Sequence, residues 1–444
     1  MSEDKVMSKA EELNKRGIIF IQKNQGDEAL KYFNRAIEAD PNFKDAYYNK
    51  ALVNLALEQV DEAIEAIDSV LIKDPNEGEA YFEKGNIFFY YKNDVKAAVE
   101  LYNKAMYFGI KNEAIYYNMA QCMEATGERE DAIKWLDRVI IIDNKSVEAM
   151  MKKAEILIDM RRYEDAINCY DGILRIQADN EGAYHFKAVL LGETNKVEQA
   201  FETLKSAEEI LGKRELLEFD KCLLYEKEND LEKALNCINS GIEIDDKNIL
   251  YLSKKASLLI LLQKVEEAKK VYDYMIEIAP EEMEAYFSKA SLLMLNKEYE
   301  EAFKLYETII EKSDEENPYR INSYYYKAVC LKNENKLEEA KEAYEEAIGK
   351  YNLLIVKYPY DYQLHLLKAN SLRDEEKYAE AEELYEYILD LNKNLAEVYL
   401  MRAKNRLGLG KENEARQDLK MALEMNEAFK KVIDLDEELS KLLA

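Results

Sequence analysis

The residue types that carry most enzyme chemistry are scarce in this chain. Only two histidines occur, His185 and His365, and an imidazole must sit beside its partners to serve a nucleophilic triad or a metal cage. The five cysteines, Cys122, Cys169, Cys222, Cys237 and Cys330, are scattered, with no C-x-x-C pair. That suits reduced thiols acting as small buried hydrophobes better than a disulfide frame. No glycine-rich phosphate loop, HExxH or GxSxG occurs, so the familiar means of cradling phosphate, holding a catalytic zinc or exposing a serine nucleophile are missing. Acid pairs such as Glu300-Glu301 and Glu338-Glu339 read as solvated helix faces. The expectation is a protein that is not an enzyme and takes no metal and no cofactor.

The remaining chemistry is that of a surface. Acids number 90 against 62 bases, a net charge of −28, and a field of that sign repels phosphate backbones and anionic headgroups. Nucleic acid and membrane are therefore not expected as partners. Apolar runs such as Leu258 to Leu262 fall far short of the ~20 residues of a membrane span. The start, Met1-Ser-Glu-Asp-Lys5, lacks the apolar stretch of a signal peptide, so a cytoplasmic location is expected. With 14 glycines and 5 prolines in 444 residues, there are too few turn formers for many hairpins. An apolar content of 48% supports a folded, helical chain rather than a disordered one.

The elements that must position any binding residues are set by a repeat. An alanine with a bulky apolar residue four positions on recurs at Ala29, Ala63, Ala98, Ala132, Ala166, Ala200, Ala234, Ala268, Ala302, Ala340, Ala381 and Ala415. The partners are Phe33, Ile67, Tyr102, Leu136, Tyr170, Leu204, Ile238, Tyr272, Tyr306, Tyr344, Tyr385 and Leu419. Spacing is 34 or 35 residues except for steps of 38 and 41 near the end. A small residue lies twelve before each marker (thirteen in the third repeat), from Gly17, Ala51 and Gly85 to Ala369 and Ala403, with Cys222 in the seventh. Within each half, apolar residues recur every three or four positions, which predicts two helices per repeat. One small residue per helix lets the two approach closely, and the bulky side chain fills the space beside them. Each pair alone would leave an apolar face in water, so the pairs must stack as a solenoid. In such an array His185 and His365 stand five repeats apart, which excludes a histidine-based site.

A 34-residue helix-turn-helix with this pattern, and a second half reading Asp27-Glu-Ala-Leu-Lys-Tyr-Phe-Asn-Arg-Ala-Ile-Glu-Ala-Asp-Pro41, resembles the tetratricopeptide repeat. The resemblance covers residues 10–428 in about twelve repeats and implies an all-α, right-handed superhelical solenoid. A short segment, 1–9, precedes it. An amphipathic stripe through Phe429, Val432, Ile433, Leu435, Leu439 and Leu442 reads as a capping helix at 429–444. The four- and seven-residue insertions fall near 313–323 and 349–362; each is close to a whole number of helical turns, so it can lengthen a helix without rotating its buried face. Any sub-block boundary is expected near 312–322. Prolines Pro41, Pro75 and Pro280 stop second helices, and the first-helix aromatic four before the small residue is replaced by Leu13, Met150, Glu218, Leu252 and His365.

The resemblance also implies a ligand groove along the first helices, at positions −6, −3, +1, +4 and +5 from the small residue. In repeats two to six this selects Tyr48, Phe82, Phe89, Tyr117, Met151 and His185 as contact area, Asn86 as a holder of ligand backbone, and Glu79, Glu124, Glu148, Glu155 and Asp159 as acids; Asn118, outside the stripe, joins Asn86 as a second holder of ligand backbone through its match to a pattern within the family. The competing reading is that the aromatic row only pads adjacent helices. One subset of the family clamps acidic chaperone tails with lysine, arginine and asparagine. Asn86 and Asn118 match its asparagines, but Phe82, Glu148 and Lys152 stand at its cationic places, and Glu148 would repel a carboxylate. The implied ligand is a protein or peptide segment that is basic and carries apolar anchors. Tyr358, Tyr360 and Tyr362 flank Pro359 in the second insertion and offer a second surface. Alternatives are a peptide-signal receptor or regulator, and a structural subunit that self-associates.

Overall fold

Because each repeat keeps its small and bulky residues in register, the helices form where that register puts them. The computed structural model describes residues 8–443 and contains, among them, helices joined by short turns and no strand. Residues 1–7 of the segment expected at 1–9 lie outside the described residues, as does residue 444. Ser8 caps the first helix, Lys9–Gln22, reciprocally with Glu11, a capping box that satisfies two otherwise orphaned N–H groups.

The chain divides into two compact blocks, Met1–Leu224 and Tyr225–Ala444. This is not the boundary expected near 312–322. There the insertion is absorbed into the helix Pro318–Asn333, started by Asn317 and a proline in its first turn, which packs directly on Tyr299–Lys312. Each block is an all-α stack of tandem helix pairs.

Within each block the repeat residues form the core. Every marker alanine and every bulky partner is buried, Phe33, Tyr102, Leu136, Tyr306 and Tyr385 completely. The close approach is sharpest where the small residue is glycine. A Cβ on Gly17 would lie 2.4 Å from Phe33 Cε1, and one on Gly85 2.6 Å from Tyr102 Cε1. Five residues before each marker the backbone turns left-handed, at φ between 52° and 65° for Asn24, Glu58, Asn93, Arg161, Asn195, Asn229, Gln263, Lys297, Asn335 and Glu376, and at 81° and 72° for Gly127 and Gly410. One left-handed residue per repeat thus reverses the chain between its two helices.

Stacking is also recorded in hydrogen bonds and ion pairs. The hydroxyls of Tyr47, Tyr81 and Tyr286 donate to the carbonyls of Pro41, Pro75 and Pro280 at 3.1, 3.2 and 3.3 Å, tying each first helix to the end of the preceding repeat. His365 makes the same link, its Nε2 2.9 Å from the Pro359 carbonyl. Pro359 is therefore the terminal proline of its repeat, displaced by seven residues because the second helix, Leu337–Lys357, runs to 21 residues. The lysine before the small residue pairs with an aspartate of the preceding second helix: Lys84–Asp68, Lys153–Asp137 and Lys289–Asp273, each at 2.5 Å. Part of the acidity is thus consumed in register-setting pairs.

The C-terminal segment is not one helix. It forms two seven-residue helices, Phe429–Leu435 and Glu437–Leu443, broken at an extended Asp436. The Asp436 carboxylate accepts from the N–H groups of Glu438 and Leu439, both at 3.2 Å, so it caps the second helix and ends the first. Ile433, Leu439 and Leu442 bury against Leu400, Ala403, Leu419 and Ala422, whereas the break turns Val432 and Leu435 outward.

Candidate functional site

Successive first helices of the N-terminal block lie side by side and exchange side-chain contacts. Lys9–Gln22 meets Lys44–Ala56, and Gly78–Tyr90 meets Glu113–Ala125. The expected groove residues lie on this face, but the structure does not leave all of them free.

Phe82 is 8% exposed and packs on Tyr102, ring centroids 5.9 Å apart. Here the padding role wins, because the glycine beside it draws the two helices together. Tyr48, Phe89, Tyr117 and Met151 are half-buried. Asn86 and Asn118 are engaged with each other rather than held open for a ligand. Asn118 Nδ2 donates to Asn86 Oδ1 at 2.8 Å, the Tyr102 hydroxyl donates to the same oxygen at 2.9 Å, and the Tyr90 hydroxyl donates to Asn118 Oδ1 at 3.2 Å. His185 Nδ1 lies 2.9 Å from both oxygens of the buried Asp220. That bond raises the imidazole above its ordinary pKa against the effect of burial, and burial raises Asp220 as well.

The acids divide into paired and unpaired. Lys152 Nζ sits 2.8 Å from Glu124 and 3.1 Å from Glu155, and Arg129 lies 3.9 Å from Asp159. Lys152 thereby neutralises two of the five acids. Glu79 and Glu148 are exposed and have no cationic partner among the described residues. The Tyr117 hydroxyl is pushed up to about 12 by burial, with Glu148 next to it adding to the effect.

Between the first helices of repeats two and three the face sinks into a cavity of about 360 Å³. Its floor is apolar, Ala51, Ile67 and Ile87. Leu52, Leu55 and Tyr91 form the walls, and Glu79, Glu83, Asn86, Asn49 and Tyr48 supply the polar groups. Glu83 accepts from Asn86 Nδ2 at 3.3 Å, and burial raises its carboxyl above the ordinary value, with Glu79 adding repulsion. The Tyr48 hydroxyl oxygen is shielded from solvent and has no hydrogen-bond partner.

The tyrosines of the second insertion are not a free loop. Residues 349–357 extend a helix in which Tyr351 is fully buried and donates to the Ile321 carbonyl at 3.0 Å. Tyr358 donates to Glu316 at 2.8 Å, and Tyr362 begins the next helix, partly buried against its core. Tyr360, 79% exposed, remains open.

The residues two before the small residue share one role that the sequence reading missed, even where it named the residue itself, as at Asn118 and Lys152. Their side chains reach the preceding repeat: Asn49 to Asn14 at 3.0 Å, Asn118 to Asn86, Lys152 to Glu124 and Asp220 to His185. Glu83 occupies the same position and finds no such partner. The signal was present as a polar residue at −2 in these repeats, next to but outside the stripe chosen by phase.

Comparison with known proteins agrees with the repeat register. The family model described as tetratricopeptide repeat matches residues 14–77, 55–113, 254–318 and 331–396, together just over half of the chain. A model for subunit 3 of the anaphase-promoting complex, or cyclosome, matches residues 91–173. An uncharacterized protein of Methanocaldococcus jannaschii is 45% identical over 49 residues, which is 11% of this chain and 57% of that protein. The chain thus spans a little over half the length of that relative. Among solved structures, yeast Tom70 is 18% identical with a TM-score of 0.42, covering 98% of each chain. YrrB, described as a TPR protein with an unusual peptide-binding site, is 21% identical with a TM-score of 0.35, covering 44% of this chain and 97% of its own. Among the described residues no helix is long and apolar enough to cross a membrane.

Proposed function

The chain belongs to the tetratricopeptide repeat family, and from that premise we propose that it is a non-catalytic scaffold or adaptor that holds a protein or peptide segment along the first helices of its N-terminal block. The observation that carries this reading is the mixed character of that face. Half-buried Tyr48, Phe89, Tyr117 and Met151 lie among Glu79 and Glu148, carboxylates without a cationic partner. Aromatic and methionine side chains supply contact area, and unpaired acids favour Lys or Arg in the ligand and repel acidic tails. The proposed ligand is therefore a basic segment with apolar anchors, and the proposed location is the cytoplasm.

The test is a peptide-array screen against the full chain. Enrichment of basic peptides with apolar residues is expected, with a salt-sensitive association rate from the acids and a dissociation rate that changes little with salt. Enrichment of acidic or uncharged peptides, or binding unaltered by Glu79→Lys with Glu148→Lys, would sink the electrostatic part of the proposal.

A further inference from the structure

We infer that the cavity between the first helices of repeats two and three is a pocket for one arginine side chain of the bound segment. The inference rests on the groove reading above and names the anchor it leaves open. At about 360 Å³ the cavity is at the lower end of the ~300–1,000 Å³ typical of small-ligand sites, a scale suited to a single side chain.

Three features of the cavity select its occupant. Its floor and walls, Ala51, Ile67, Ile87, Leu52 and Leu55, are apolar, matching a methylene stem that can lie along them while its head reaches polar groups. Two carboxylates one helical turn apart, Glu79 and Glu83, face it, and neither is paired with Lys or Arg among the described residues. Glu83 is half-buried and Glu79 exposed beside it, and a partly desolvated carboxylate close to a second one is costly to leave unpaired, so the site favours a cation. The third feature is the Tyr48 hydroxyl, shielded from solvent without a partner, a group that needs a donor or acceptor from elsewhere.

The pattern of the neighbouring repeats makes this vacancy specific. At the equivalent position, Asn49, Asn118, Lys152 and Asp220 each bond to the preceding repeat. Glu83 instead lines the cavity together with Tyr48 of the preceding repeat. A guanidinium supplies what both lack. Its five fixed N–H donors can serve two carboxylates and a phenol oxygen at once, and it sheds water more readily than an ammonium.

The experiment titrates the full chain, labelled with carbon-13 in its tyrosine rings, with Nα-acetyl-arginine methylamide. The Tyr48 resonance is identified by its loss in Tyr48→Phe. A saturable shift of that resonance is expected, with a dissociation constant on the order of 1 mM. The norleucine analogue, which keeps the stem and lacks the charge, should produce no saturable shift. Glu79→Gln with Glu83→Gln should weaken arginine binding roughly tenfold or more, with circular dichroism confirming an intact helical fold and Glu83→Gln alone as a milder second variant. No shift with the arginine probe, equal response to norleucine, or undiminished binding by both variants overturns the pocket. Much tighter binding of agmatine than of the blocked residue overturns the assignment to a protein segment. If array-selected basic peptides bind and the glutamine variants do not weaken them, the pocket fails while the groove reading stands. If the probe binds and no basic peptide does, the groove reading fails while the guanidinium site stands.

Discussion

Gly85→Ala tests whether the close approach of paired helices also holds the proposed binding face together. An added Cβ would lie 2.6 and 2.7 Å from Cε1 and Cδ1 of Tyr102, a ring that is completely buried. The ring cannot retreat freely, because its hydroxyl donates to Asn86 Oδ1 at 2.9 Å and accepts from Asn118 Nδ2 at 3.4 Å. Overpacking of this kind costs about 1–3 kcal/mol, and each hydrogen bond lost with the ring's displacement adds about 0.5–1.5 kcal/mol. Alanine is accommodated at the same place beside Leu136, where the small residue is Ala120. Tyr102→Leu should therefore rescue Gly85→Ala, with a favourable coupling of about 1 kcal/mol or more in the double-mutant cycle.

A stacked array need not unfold in one step, so the readout is amide hydrogen exchange around each substitution, in Gly78–Tyr90 and Val95–Tyr107 for Gly85→Ala and in Leu337–Lys357 for Gly349→Ala, with the other block as internal reference. Gly349→Ala is the control. Gly349 lies within the helix Leu337–Lys357 and an added Cβ there meets nothing within 4 Å, so it should gain about 0.5–1 kcal/mol. The same substitution is thus expected to have opposite signs at two glycines. If Gly85→Ala slows exchange as Gly349→Ala does, or if Tyr102→Leu fails to rescue it, the close-approach argument is wrong.

Three further outcomes are expected. Glycine in place of the left-handed Glu58 (φ 61°) or Lys297 (φ 63°) should stabilise by about 0.5–1 kcal/mol, the relief of strain exceeding the added chain entropy; a loss of stability on urea unfolding would contradict this. The pKa of His185 should exceed 6.5 by NMR titration and fall back in Asp220→Asn. Its folded value is raised, so its contribution to stability is full below pH 6.5 and is lost as pH rises through the raised folded pKa; Asp220, raised from 3.8, also loses stability with rising pH, but over its own more acidic range. Local exchange protection that instead grows between pH 6 and 9 would refute the pair. Deletion of residues 429–444 should uncover Leu400, Leu419 and Ala422 and promote aggregation, and unchanged light scattering and melting would show that this segment is not a cap.

Legibility in the sequence followed the length scale of the cause. Helix pairing depends on residues four and twelve apart in one repeat, and there every marker and partner was placed correctly. The insertions were also readable in part, since seven residues are two helical turns and did lengthen Leu337–Lys357 without unburying Ala347 or Tyr351. The break at Asp436 was not, because a hydrophobic stripe is blind to a side chain that caps the N–H groups after it. Nor was the fate of Asn86 and Asn118, whose amides meet across an interface between repeats. The repeat period shows which residues share a face of the first helices. It does not show which neighbours they find there.

That distinction locates the origin of charge on the proposed binding face. A stripe read by helical phase counts Glu79, Glu124, Glu148, Glu155 and Asp159 as equal acids, yet one lysine at position −2, Lys152, occupies two of them. Lys254, at the same position in the C-terminal block, takes Glu226 in the same way. Asn49 and Asn118 at −2 close their interfaces with neutral amides, and Asp220 closes one by holding His185. The residue at −2 therefore sets much of the local charge: Lys152 and Lys254 each neutralise acids near them, whereas Glu83 adds one. Because a partly buried carboxylate responds to a charge one helical turn or one repeat away far more than to the net charge of the chain, an excess of −28 does not by itself make the groove attractive to bases. On the proposed reading, the feature that would make it so is the interface where position −2 holds Glu83, a second carboxylate beside Glu79 with no Lys or Arg partner among the described residues.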